Sequence, residues 1–373
     1  MNRDVVAQRV RQLITRSGRS QGEFATSAGL DPSKMSKSLS GTRRFTSLDL
    51  ARLAELGGVT VDWLLGADET PVLAARLSSP LDSSAGSVTL EADRLTHLRA
   101  DLAFLGYEQH SALPRTQPIS DRWIGQGRQL AAWALDLARN AGADPSHTRD
   151  LAELIENAFA IDVAISDLPN GFDGLACSKE HARLIVVGTS TVPSRQRFTL
   201  AHELGHVLAG DDQGLLAEAD IYDKRHSRQS SEIRANAFAT AFLLPEDMLK
   251  SETSGMVWTN EAFAKLSFRW WVSPSALAWR LHNLNLIPKD LCDRYRGMTT
   301  ESAALLASEL GSFTEWIAAA SHRRIPQLLL RDTFHAYLDG ASTLRPFANL
   351  IGMDSETIRQ ALEQAGEEPP LAS

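Results

Sequence analysis

The sequence predicts a mainly helical chain with a small β-sheet, an α+β architecture, and three observations carry that expectation. Residues 1–66 are cut into short amphipathic segments by regular stop signals, β-branched runs gather in one block near residues 161–190, and helical patterning returns beyond Met248. With 373 residues there is room for about two or three domains. A composition of 43% hydrophobic and 23% charged residues is that of an ordinary globular protein with real cores, so disorder is excluded as the default.

The head, residues 1–66, reads as five helices. Val6, Val10, Leu13 and Ile14 form one stripe that ends at "RSGRS", and Ser20 is placed to cap "QGEFATSAG", with Gly29 as terminator. An Asp-Pro start opens "DPSKMSKSLSG", and Thr46 or Ser47 caps "TSLDLARLAELGG". The fifth helix is "TVDWLLG". Two short helices joined at "AGLDPS" have the length and punctuation of a helix-turn-helix. Charge agrees with that reading. The formal net charge is -8, but residues 1–66 hold ten Lys/Arg against six Asp/Glu, so the head is +4 and the remainder -12. A basic head on an acidic body fits a module that meets phosphate.

"SQGEFATSAGLDPSKMSKSLSG" resembles the lambda-repressor-like (XRE) class of DNA-binding domains, and "DLARLAELGGVTVDWLLG" looks like its closing helices. The resemblance implies that the third helix enters the major groove of double-stranded DNA, with Ser33, Lys34, Ser36 and Lys37 toward base edges and Gln21 supporting them. Arg43 and Arg44 follow that helix and are placed for phosphates. The plainer alternative is a helical bundle used for dimerisation or protein contacts.

Residues 67–125 read as a linker rich in Ser, Pro and Gly, holding one short helical segment, "RLTHLRADLAFLGYE". Helices are expected at "GRQLAAWALDLARNAG" and "SHTRDLAELIENAF", followed by two or three strands in "IDVAISDL" and "ARLIVVGTS".

"RFTLAHELGHVLAGDD" then brings two histidines four residues apart. On a helix that spacing puts His202 and His206 on one face, able to reach a single point. Glu203 points elsewhere, too far round to ligate the same ion but able to reach a water beside it, as a general base does in H-E-x-x-H peptidases. Phe198, Leu204, Val207 and Leu208 supply an apolar opposite side, so the helix has a core side and a chemical side. The competing reading is a pair of hydrogen-bonded core histidines. Catalytic zinc takes three protein ligands and leaves a fourth position for water. Glu232 is the candidate third ligand, on a helix "EIRANAFATAFLL" capped by Ser230 or Ser231 and ended by Pro245. Asn236 shares its face and is placed to hold a ligand histidine by its other nitrogen. A plain first-turn acid would also explain Glu232, through the helix dipole. Asp211, Asp212, Glu218 and Asp220 rank below it, in a loop-rich stretch.

Together, "RFTLAHELGHVLAG" and "EIRANAFATAFLLP" resemble the ImmA/IrrE family of zinc metallopeptidases, over about Ala141–Leu249. The resemblance implies a zincin-like peptidase domain, here residues 126–250, with Zn2+ on His202, His206 and Glu232 and Glu203 as base and later proton donor. Family members often carry a second acid where this chain has Arg234. An edge strand, expected at "ARLIVVGTS", is placed to hold extended substrate by strand addition. Tyr222 or His226 is the candidate oxyanion stabiliser.

Residues 251–295 again read as helix, turn, helix, with Thr259 and Ser273 as caps. Trp270, Trp271, Val272, Leu277, Trp279 and Leu281 favour docking on the peptidase domain over a second DNA-contacting unit. Residues 296–373 are expected to be helical, with a final pair of helices around Gly352. Two separated cysteines, Cys177 and Cys292, argue against a disulfide framework or a cysteine zinc knuckle, and no run of about 18 apolar residues occurs. A cytoplasmic location without membrane attachment is therefore expected.

The leading functional expectation is a DNA-binding regulatory zinc peptidase whose protein substrate, on resemblance, is a helix-turn-helix repressor, in a stress-response setting. A homodimer is compatible with it. The alternative keeps the same residues without turnover, as an antitoxin-like transcriptional regulator with a structural or sensing zinc. Glu203 favours the first, since a structural site needs no base.

Overall fold

A computed structural model of the chain describes residues 3–17, 19–43, 45–57, 64, 74–75, 85–111, 113, 120, 122–168, 173–179, 182–211 and 221–365. The chain divides into two compact units, Met1–Val72 and Leu73–Ser373.

In the first unit, α1 (Arg3–Ser17), α2 (Gln21–Ser27), α3 (Pro32–Leu39) and α4 (Ser47–Gly57) close over Val10, Phe24, Met35, Leu53 and Leu64. Their ends obey local chemistry. Ser20 Oγ accepts from the amide of Glu23 while the Glu23 carboxylate accepts from the amide of Ser20, a reciprocal box that starts α2. Gly29 follows in the left-handed region at φ 64°. Asp31 Oδ1 accepts from the amide of Lys34 to start α3, and Thr46 with Asp49 repeats the reciprocal arrangement at α4. Apart from Leu64, the expected fifth helix lies outside the described residues.

The second unit is built on a sheet of order β1-β3-β4-β2, formed by β1 (Ala74–Ala75), β2 (Asp162–Ser166), β3 (Gly174–Ser178) and β4 (Arg183–Gly188). β4 runs parallel to β2 and antiparallel to β3, and β1 is antiparallel to β3. "ARLIVVGTS", expected at the edge, is therefore central. Its uninterrupted Leu184-Ile185-Val186-Val187 run follows from burial on both faces. Alternation sorts the side chains: Val163, Ile165, Ala176, Ile185 and Val187 face one core, and Ala164, Leu175, Cys177, Leu184 and Val186 face another.

The first core is completed by α6 (Trp123–Asn140), α7 (Leu151–Phe159), α8 (Pro193–Ala209) and α9 (Ile221–Leu243). After α10 (Glu246–Thr253) come α11 (Asn260–Arg269), α12 (Pro274–Asn283) and α13 (Lys289–Arg296). Thr259 and Ser273 cap α11 and α12 as expected, and Phe263, Trp270, Leu277, Leu281 and Tyr295 join the same core as Leu204 and Phe242. The helix-turn-helix pattern of residues 251–295 is thus a packing element, although Trp279 stays exposed.

The second core is covered by α5 (Ala85–Phe104) and by the C-terminal helices α16 (Gln327–Leu338) and α17 (Arg345–Ile351). Between them in sequence lie α14 (Thr300–Ala307) and α15 (Leu310–Ser321), and α18 (Ser355–Ala365) comes last. α5 begins inside the stretch read as linker, because its starting Ala-Gly-Ser gives no helical signal while Ala92, Leu95 and Leu102 are buried against the sheet. At its centre Arg99, 1% exposed, donates Nε and Nη2 to Asp162 on β2 and Nη1 to Asp332 on α16. Burial alone would weaken that charge, and the two carboxylates more than offset it. Among the described residues no helix is long and apolar enough to cross a membrane.

Candidate metal centre

The expected site helix is α8, but it is not amphipathic in the expected sense. Every residue from Thr199 to Leu208 is buried, the histidines included. The chemical side faces α9 and β3 rather than solvent. Two glycines make that possible. At Gly205 a Cβ would lie 2.8 Å from Phe238 Cδ1 of α9, and at Gly174 one would lie 2.8 Å from Thr199 Cγ2 and 3.3 Å from Glu203 Cγ. Side chains at either position would push a wall of the site away.

α9 is longer than expected. Its backbone is helical from Ile221, so Ser230 and Ser231 are interior and do not cap, and Glu232 sits more than two turns in. The first-turn dipole explanation for Glu232 therefore falls. Its carboxylate instead meets the histidines: Oε2 is 3.3 Å from His202 Nε2 and Oε1 is 3.5 Å from His206 Nε2, while the two Nε2 atoms are 3.0 Å apart. Among the described residues these three form the one cluster able to offer three converging metal-ligand atoms. Burial alone would raise the Glu232 pKa, but the adjoining side chains of His202 and His206 outweigh it and hold the carboxyl well below its ordinary range.

The donor set fits a divalent metal. Tetrahedral bonds of about 2.0–2.1 Å place ligand atoms about 3.3 Å apart, close to the three separations seen. The outer nitrogens decide the tautomers. His202 Nδ1 donates to Asn236 Oδ1 at 3.1 Å, and His206 Nδ1 donates to Asp211 Oδ2 at 2.8 Å. With both Nδ1 protons so engaged, neutral imidazoles present their Nε2 lone pairs to each other, an arrangement that a cation satisfies. The histidine side chains are 1–2% exposed and that of Glu232 is 33% exposed, so access is from the Glu232 side. Glu203 is buried on α8 next to His202, outside the ligand triple and beside the start of β3.

Asp211 is the residue that sequence reasoning undervalued. Ranked as a weak ligand candidate, it instead supports His206 from behind, because Gly210 in the left-handed region at φ 65° turns the chain back after α8. Arg234 of α9 ion-pairs with the same carboxylate and lies 5.5 Å from the Trp123 ring centroid. An acid at position 234 would repel Asp211, whereas the arginine pairs with it. An acid five residues after the second histidine, just past a glycine, was the available signal. Asp212, Glu218 and Asp220 lie outside the described residues, as do the side chains of Tyr222 and His226.

A family profile described as the IrrE N-terminal-like domain matches residues 156–282, which include the whole ligand cluster. The segment belongs to the ImmA/IrrE-type peptidases. The chain is also 30% identical over 190 residues to the radiation response metalloprotease IrrE of Deinococcus radiodurans, covering 50% of this chain and 57% of that one. Against the protein of the same name from Deinococcus deserti it is 32% identical over 120 residues, 32% of this chain and 42% of that one. The chain thus spans about half the length of the curated relatives it matches. A metal ion is implied by this ImmA/IrrE-type family, and the His-His-Glu cluster lies within the matched segment.

In the head, Gln21, Ser33, Lys34, Ser36 and Lys37 are all exposed. Arg43 Nη1 pairs with Asp49 at 2.8 Å and reaches Ser38 Oγ at 3.1 Å. Arg44 lies outside the described residues.

Proposed function

We propose that this chain is a DNA-binding regulatory zinc metallopeptidase that hydrolyses a peptide bond in a protein substrate, a transcriptional repressor. The observation that carries the reading is the convergence of His202, His206 and Glu232, with Glu203 on the helix that bears the two histidines. His202, His206 and Glu232 would hold Zn2+, which when bound polarises the scissile carbonyl and acidifies water. Asn236 and Asp211 fix the ring orientations of the two histidines. Glu203 accepts the proton of the attacking water and delivers it to the departing amide nitrogen. Its burial between α8 and β3 keeps bulk water from competing for that proton.

The exposed polar and basic face of α3, in a head of net +4, supports a role in DNA binding. Tethering would raise the effective concentration of the peptidase at operator-bound targets. The test is to incubate purified, zinc-loaded wild type and Glu203→Gln with helix-turn-helix repressors encoded beside this chain. Cleavage by wild type alone supports the proposal; metal-loaded wild type that leaves every repressor intact moves the assignment to a non-proteolytic regulator.

A further inference from the structure

One helix orders most of the metal site. α9 carries Glu232, which converges on both histidines, and Asn236, whose Oδ1 accepts from His202 Nδ1. Between these two in sequence stands Arg234, which serves the other histidine at one remove. Asp211 divides its carboxylate: Oδ2 accepts from His206 Nδ1 at 2.8 Å, and Oδ1 pairs with Arg234 Nη2. The guanidinium is in turn held by α6. Its Nη1 donates to Gln126 Oε1 at 3.4 Å, and its central carbon lies 5.5 Å from the centroid of the Trp123 ring. Gly127 of α6 gives the room for this approach, since a Cβ there would run into the carbonyl oxygen of Arg234.

The side chains of Arg234 and Asp211 are 14% and 11% exposed, and a pair so far out of water gains little net stability, because desolvation offsets the attraction. What it fixes is geometry. Asp211 lies past the end of α8, after Gly210 in the left-handed region, and its amide donates to the His206 carbonyl at 3.2 Å. That backbone bond places the residue and leaves the carboxylate able to rotate. Arg234 takes one of its oxygens and thereby aims the other. We propose that Arg234 is a positioning residue for the metal centre: held by Trp123 and Gln126, it orients Asp211 so that His206 keeps its proton on Nδ1 and turns Nε2 toward the metal position. α9 then orders both histidines, His202 directly through Asn236 and His206 indirectly through Arg234. The inference rests on the metal-binding part of the peptidase reading and holds whether or not the site turns over.

The test uses the full chain loaded with Zn2+, with zinc affinity read by chelator competition and the imidazole N–H protons by NMR. Arg234→Met keeps an unbranched apolar stem beside Trp123 and removes the charge. Zinc affinity should fall about tenfold, the low end of the range for groups that support a ligand. The His206 Nδ1 proton should broaden or exchange away while that of His202, held by Asn236, stays. Asp211→Ala tests the route: adding Arg234→Met to it should cost less than about twofold more, because both changes act through one contact. Trp123→Ala, at a residue 42% exposed, avoids any substitution in the core and should lower affinity about threefold by the same route. Unchanged zinc affinity in Arg234→Met, a loss that multiplies with that of Asp211→Ala, or equal broadening of both histidine protons overturns the proposal, the last because it marks a general loosening of the fold. Casein hydrolysis in the same samples is read separately. Zinc-loaded wild type that leaves casein intact counts against the peptidase reading and leaves the role of Arg234 standing, whereas wild type that binds no zinc overturns both.

Discussion

Helices α3 and α8 use the same backbone to opposite ends. α3 buries Met35 and Leu39 and displays Ser33, Lys34, Ser36 and Lys37 to solvent, whereas α8 buries His202, Glu203 and His206 along with its apolar residues. The difference follows from what each is proposed to meet. Attraction to phosphate works across water and tolerates mobile side chains, while a metal centre needs ligands held by a second layer and shielded from solvent. Substitutions in α3 should therefore change binding and leave the fold alone, and those around α8 should expose how chemistry and packing are shared.

The sharpest break in that comparison is Glu203→Gln. It should lower peptide hydrolysis by about 10²–10⁴-fold, with zinc content and melting temperature near wild type, read by quantitative proteolysis and elemental analysis. Arg99→Ala comes next. It strands Asp162 and Asp332 in the core and should cost about 3–5 kcal/mol of the second unit's stability, measured by denaturant unfolding. Asp211→Ala frees the outer nitrogen of His206 and removes the partner of Arg234, and zinc affinity should fall about 10–100-fold in chelator competition. The smallest effect is expected in the head. Lys34→Ala with Lys37→Ala should weaken operator binding and reduce the slope of log K against log salt by about 2, with unfolding unchanged.

How much of this was legible in sequence depends on the range of the interactions. Caps at Ser20, Asp31, Thr259 and Ser273 act over three residues, and the structure has each of them. The spacing of His202 and His206 is likewise local, and the mainly helical fold with a small sheet follows from periodicity. What sequence missed is nonlocal. Strand order decides that Arg183–Gly188 is central, and Arg99 joins partners 63 and 233 residues away. Asp211 was visible, but its partner nitrogen on His206 became evident only once Gly210 had turned the chain. Continuous helix through Ser230 and Ser231 overrode two good capping residues, because α9 packs along α6 and α8 through side chains such as Ala235, Phe238 and Phe242.

The central claim is that His202, His206 and Glu232 hold one catalytic zinc. X-ray absorption at the zinc edge of the loaded full chain tests it most directly. The predicted spectrum has only nitrogen and oxygen neighbours at about 2.0–2.2 Å, two of them imidazole, and His202→Ala loses one imidazole contribution together with most of the bound metal. Sulfur at about 2.3 Å, or a spectrum unchanged by His202→Ala and by Glu232→Ala, would contradict it.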